Sequence, residues 1–143
     1  MSGKVIYTAE ARVTGGRIAG HGSTSDGALE VELRPPGSEE TGTNPEQLFA
    51  VGYAACFESA IAVIARRENV DTGEVSVDSE VDLQTTENRG FGIAVRLNVS
   101  LPDISDPALA GRIVAAAHEV CPYSQATQGN IEVGLTANGE PVG

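Results

Sequence analysis

The stretch NPEQLFAVGYAACFESAIAVIARREN, residues 44–69, decides how this chain is read. Asn44 offers the side-chain oxygen of an N-cap, Pro45 suits the first helical position, and Gln47 stands where a capping box wants Glu or Gln. At the far end Arg66 and Arg67 complement the negative pole of a helix, so the pattern predicts one helix running to about Asn69. Between Leu48 and Ala65 this helix is apolar nearly all round, whereas a surface helix shows a single apolar stripe. It must therefore be enclosed on most sides. A chain of 143 residues has little material for that, and a second copy covering one face would supply it. A homodimer is the expectation.

The segments flanking the helix read as strands. Val5 to Thr14 is rich in β-branched residues and stops at the turn signal Gly15-Gly16. After a second turn at Ser25-Asp26-Gly27, Leu29, Val31 and Leu33 alternate with Glu30 and Glu32, the mark of a half-buried strand. Residues 34–43, RPPGSEETGT, form a polar loop. Beyond Gly73, Val75, Val77, Val81 and Leu83 alternate with polar residues, and past a turn at 87–90 the alternation resumes from Phe91 to Leu101. Asp106 N-caps a second helix that ends near Val120, because Pro122 blocks its continuation. Ile131 to Thr136 makes a last strand. The order βββ–α–ββ–α–β describes an α+β fold with antiparallel pairing, and residues 1–143 read as one domain.

A net charge of −11 disfavours nucleic acid and anionic membrane surfaces, and the basic residues cluster only at Arg66-Arg67. The apolar run Leu48–Ile64, interrupted by Gly52, Glu58 and Ser59, reads as too short and too broken for a membrane span. The first residues, MSGKVIYTAEARV, have no apolar h-region, so a cytoplasmic protein is expected. Two cysteines do not make a disulfide scaffold.

Their positions are more telling. Cys56 lies about twelve residues into the greasy helix, beyond the reach of the N-terminal dipole, and burial there raises a thiol pKa. A reactive Cys56 needs a cation from elsewhere in the fold. Cys121, at the end of the second helix, faces a dipole that also disfavours thiolate, which makes it the poorer first nucleophile and the better resolving partner. His21 and His118 read as surface residues, and Tyr53 and Tyr123 as packing residues. His118, Glu119 and Cys121 do not make a standard metal-ligand pattern, so neither a metal nor a cofactor is expected.

TGGR (14–17), TSDG (24–27), GTNPEQLFAVGYAACF (42–57) and CPYSQATQGNIEV (121–133) together resemble the organic hydroperoxide resistance proteins, within the wider family of osmotically inducible proteins. The resemblance runs in order along essentially the whole chain. It implies an OsmC-like α+β fold, an intertwined homodimer, and a cysteine-based peroxidase that takes organic, including fatty-acid, hydroperoxides and is reduced by lipoyl-bearing proteins or dihydrolipoamide. Cys56 matches the peroxidatic cysteine, Cys121 the resolving cysteine, Arg17 the arginine that contacts the reactive thiol, and Glu46 the carboxylate that pairs with that arginine. The sequence departs from the family at Gln128, often basic, and at Glu58. The rival class is a redox-sensing or ligand-binding dimer whose disulfide changes shape without turnover.

On their own, Arg17 suits an ordinary turn after Gly-Gly and Glu46 an ordinary dipole-favoured carboxylate. Glu46 and Cys56 are ten residues apart, about 15 Å of rise on an unbroken helix and not on one face. Either the helix breaks, near Gly52, or Glu46 reaches the thiol from the second subunit.

Overall fold

Why the first strand is short is plain from the ladder it joins. In the computed structural model, which describes residues 3–143, β1 (Ala11–Thr14) pairs antiparallel with β2 (Gly20–Thr24), and β2 with β3 (Glu30–Leu33). Ser25 N–H donates to Glu10 C=O at 2.9 Å, and there β2 turns away into the 25–27 turn. Residues 5–10, expected as strand, have no ladder partner and lie outside it, with Val5, Ile6 and Tyr7 exposed. Gly15 (φ 80°) and Gly16 (φ 65°) turn the chain into a four-residue helix, α1 (Gly16–Ala19), which the sequence reading did not contain.

These strands belong to the first of two compact units, residues 1–48 and 49–143. The loop 34–43 closes the first unit. Its end lies beside β3, Thr43 N–H donating to Glu32 C=O and Arg34 N–H to Thr43 C=O.

The expected helix, α2, spans Pro45–Glu68. Asn44 Oδ1 caps it by accepting from Gln47 N–H at 2.8 Å, while the Gln47 side chain accepts from the Thr43 hydroxyl at 2.7 Å. Half of a capping box is thus present, with its second member turned outward. At the other end Asn69 adopts φ 58°, Asn69 N–H donates to Arg66 C=O and Val70 N–H to Ala65 C=O, a Schellman closure. The helix is continuous through Gly52.

The second unit sets α2 against a four-stranded sheet ordered β4-β5-β6-β7, with β4 Ser76–Thr85, β5 Phe91–Ser100, β6 Val133–Ala137 and β7 Glu140–Val142. Between β5 and β6 lie α3 (Pro107–Val120) and α4 (Pro122–Thr127). β4 and β5 pair antiparallel over their whole length and so do β6 and β7, as the alternation predicted. β5 and β6 are parallel, because a crossover through two helices returns the chain in its original direction. Asp106 Oδ1 caps α3 by accepting from Ala108 N–H at 3.0 Å. Pro122 does end α3, but it also occupies the first position of α4, a helix the sequence reading missed.

The core joins Tyr53, Phe57, Ile61 and Ile64 of α2 to Val95, Leu97 and Val99 of β5 and Ile113, Val114 and Ala117 of α3. Each large side chain buried there contributes about 1.5–3 kcal/mol. Burial follows one face of α2 at helical spacing: 53, 57, 60, 61, 64 and 65. The expected enclosure on most sides is not met within one chain, since Val51 is 71% exposed and Ala55 and Ala62 on the same face are also open. By length and composition α2 could cross a membrane, contrary to the reading of its interrupted run; its packing here is that of a core helix.

Candidate active site

In the first unit, α1 carries Arg17 and the first turn of α2 carries Glu46. Two parallel bonds join them, Nη1 to Oε1 at 3.0 Å and Nη2 to Oε2 at 2.9 Å. This fork-on-fork geometry is available to arginine and not to lysine. The bonds from Arg17 hold the Glu46 carboxyl below its ordinary pKa and raise that of Arg17, so both groups stay charged. The structure thus brings together Arg17 and Glu46, the two residues that the family resemblance pairs.

In the second unit the two cysteines, 65 positions apart in sequence, lie near each other as free thiols. Cys56 is half-buried on α2 and Cys121 is fully buried. Burial pushes the Cys56 thiol up, the backbone N–H of Tyr123 draws it down, and the neighbouring Cys121 pushes it up again. The net direction is upward, and within this unit no cation offsets it. Cys121 ends α3 and also caps the start of α4. Its description as a helix C-terminal residue was therefore incomplete: α4 begins there and brings the Tyr123 N–H to Cys56.

Aromatic rings wall this region. Tyr123 packs 5.5 Å from both Phe49 and Tyr53, centroid to centroid. Gly52 is what lets it approach, because a Cβ there would stand 2.6 Å from the Tyr123 hydroxyl oxygen. The glycine considered a possible break is instead a notch in a continuous helix.

Sequence reasoning also missed a buried polar cluster. Tyr53 Oη lies 2.8 Å from Ser124 Oγ and 3.2 Å from Thr127 Oγ1, and Ser124 Oγ lies 2.8 Å from His118 Nδ1. His118, read as a surface residue, is half-buried, and burial lowers its pKa. The available signal was Ser124 and Thr127 at i, i+3 behind Pro122, which places two hydroxyls on one face of a short helix. His21 is on the sheet surface, between Glu30 and Glu32 at 3.1 Å each. Glu58 and Gln128 are exposed. Among the described residues no group of three or more His, Cys, Asp or Glu is placed to hold a metal.

The profile of the OsmC-like protein family matches residues 37–136, most of the chain and every element from α2 to β6 save the last residue of β6. The chain belongs to the OsmC-like family. Within that family it is similar to the organic hydroperoxide resistance protein of Xanthomonas axonopodis pv. citri, 49% identical over 138 residues, covering 93% of this chain and 95% of the relative. Among solved structures, the organic hydroperoxide resistance protein of Elizabethkingia anophelis superposes with a TM-score of 0.87 at 44% identity, covering 93% of this chain and 96% of that one. OhrB of Bacillus subtilis gives 0.86 at 43% identity, with 92% and 98% covered. The α+β architecture expected from the alternation and the long helix is the one these family members share.

Proposed function

We propose that this protein is a dithiol peroxidase that reduces organic hydroperoxides to alcohols. The observation that carries the reading is the adjacency of two free thiols, one half-open and one buried, between a greasy helix and a wall of aromatic rings. The names of its relatives support the same substrate class. The Cys56 thiolate attacks one peroxide oxygen; an S–O bond forms, the O–O bond breaks, and the alkoxide leaves with a proton as alcohol. Cys121 then attacks the sulfenic sulfur, forming the disulfide and expelling water. Two electrons from a dithiol restore both thiols.

Burial disfavours the Cys56 thiolate, so a reactive Cys56 calls for a cation beside it. Arg17, held by Glu46, is the residue for that role, stabilising both the thiolate and the charge developing on the peroxide. Since α2 is continuous through Gly52, the separation of Glu46 from Cys56 along it favours the second of the two arrangements considered: Arg17 and Glu46 of one subunit serve Cys56 of the other. The open Val51–Ala55–Ala62 face supports a homodimer, and relatives that align along 93% of the chain support reading residues 1–143 as a single domain. Cytoplasmic action without nucleic-acid or membrane partners accords with the acidic surface, and lipoylated protein or dihydrolipoamide as reductant follows from the resemblance.

Steady-state turnover with dihydrolipoamide tests the reading. Cumene hydroperoxide is expected to exceed hydrogen peroxide in kcat/KM, since two or three buried carbons contribute about 2 kcal/mol, roughly thirtyfold. Equal values for the two peroxides would refute the apolar site. Faster recovery with thioredoxin than with dihydrolipoamide would refute the reductant. Oxidation without repeated turnover on any dithiol would leave the redox-sensor reading in its place.

A further inference from the structure

The buried cluster around Ser124 has a direction, and the direction ends at the backbone of Tyr123. Thr127 Oγ1 donates to Tyr123 C=O at 3.0 Å, which uses its one proton. Tyr53 must then be the donor at the 3.2 Å contact with Thr127, Ser124 the donor to Tyr53 at 2.8 Å, and His118 Nδ1–H the donor to Ser124 at 2.8 Å. Only this order gives every contact a proton, and it assigns the Nδ1–H form to His118. Replacing a buried hydrogen-bonded pair by apolar groups of the same shape can be nearly neutral for stability, so stability alone does not account for three hydroxyls in a core. What they do accomplish is to tie α2, α3 and α4 together around Tyr123 and Ser124. The carbonyl of Tyr123 receives the end of the chain. Tyr53 lies three residues from Cys56 on α2 and Ser124 three residues from Cys121, so the bond between them anchors the two thiol-bearing segments to each other, and the N–H on the preceding peptide favours the Cys56 thiolate.

We propose that His118, Ser124, Tyr53 and Thr127 form one directional hydrogen-bond chain that positions the first turn of α4, so that the Tyr123 N–H and the Cys121 thiol are both presented to Cys56. These are positioning residues, acting through Tyr123 and Cys121. Successive bonds in such a chain polarise one another, so the far members strengthen the near ones. The ring of Tyr123, seated over Gly52 and against Phe49 and Tyr53, holds the same turn from its apolar side. The inference rests on the peroxidase reading only for the use to which the positioned thiol is put.

The test uses the reduced full-length protein without peroxide. Tyr53→Phe and Ser124→Ala each remove one oxygen with little change of shape. Alkylation of Cys56 by iodoacetamide is followed against pH, with the two cysteines resolved by peptide mass spectrometry. In each single variant the midpoint is expected to move up, with alkylation at pH 7 slowed about threefold to tenfold, the loss of one hydrogen bond. The double variant is expected to be no slower than the slower single, because one break already interrupts the chain. Unchanged midpoints in folded single variants, or losses that add in the double, would overturn the proposal. Should one variant fail to fold, the midpoint of the other decides. A shifted midpoint in a protein without peroxide turnover would sink the peroxidase reading and leave the chain standing.

Discussion

Cys56→Ser is expected to reduce peroxide consumption to the uncatalysed background, whereas Cys121→Ser should consume about one equivalent per subunit and then stall. The asymmetry follows from the two environments. Cys56 is half-open and is the thiol of the pair that a bulky hydroperoxide can meet, whereas Cys121 is fully buried. A serine at 56 leaves no group whose deprotonated form is accessible near neutral pH. A serine at 121 leaves the first step intact but removes the thiol that would condense with the sulfenic acid, so Cys56 stalls as sulfenic acid and reaches sulfinic acid only with a second equivalent of peroxide. Stopped-flow peroxide consumption with mass spectrometry of the 56 and 121 peptides checks both outcomes. Repeated turnover by either variant would dismiss the two-thiol mechanism.

The second large effect belongs to Arg17 and Glu46. Arg17→Lys keeps a positive charge but cannot reproduce the two parallel bonds to Glu46, and kcat/KM is expected to fall roughly a hundredfold to a thousandfold, as for loss of a donor aimed at developing charge. Glu46→Ala frees the guanidinium and should cost a similar factor. If each site takes its Arg17–Glu46 pair from the opposite subunit, two inactive proteins repair each other. Mixed one to one under subunit exchange, Cys56→Ser and Glu46→Ala should recover about a quarter of wild-type activity, since half the dimers are mixed and each has one complete site of two. No recovery after proven exchange would place the whole site within one chain.

Much of this was legible before any coordinates. Asn44, Pro45 and the arginine pair gave the bounds of α2 to within a residue, because caps act locally. The strict alternation in 91–101 gave β5 and, through it, the ladder with β4. What escaped was either short or non-local. Residues 5–10 have strand composition but no partner beyond Ser25. α4 escaped because Pro122 was read only as a stop, and β7 because the two-residue turn Asn138-Gly139, a strong hairpin signal, was passed over. Of the site, the four residues named in advance fall into the two pairs Arg17–Glu46 and Cys56–Cys121. The Tyr53–Ser124–His118 chain, whose members lie 71 and six residues apart, carries no sequence periodicity that could have announced it.

The central claim is that one hydroperoxide is converted to one alcohol by one Cys56–Cys121 bond. Reduced protein treated with a single equivalent of cumene hydroperoxide, quenched in acid and mapped by mass spectrometry alongside the released alcohol, tests it most directly. The account predicts cumyl alcohol and the linked 56–121 peptide pair in equal amounts, with no free thiol lost elsewhere. Peroxide left intact, or alcohol formed while both cysteines remain thiols, would contradict it.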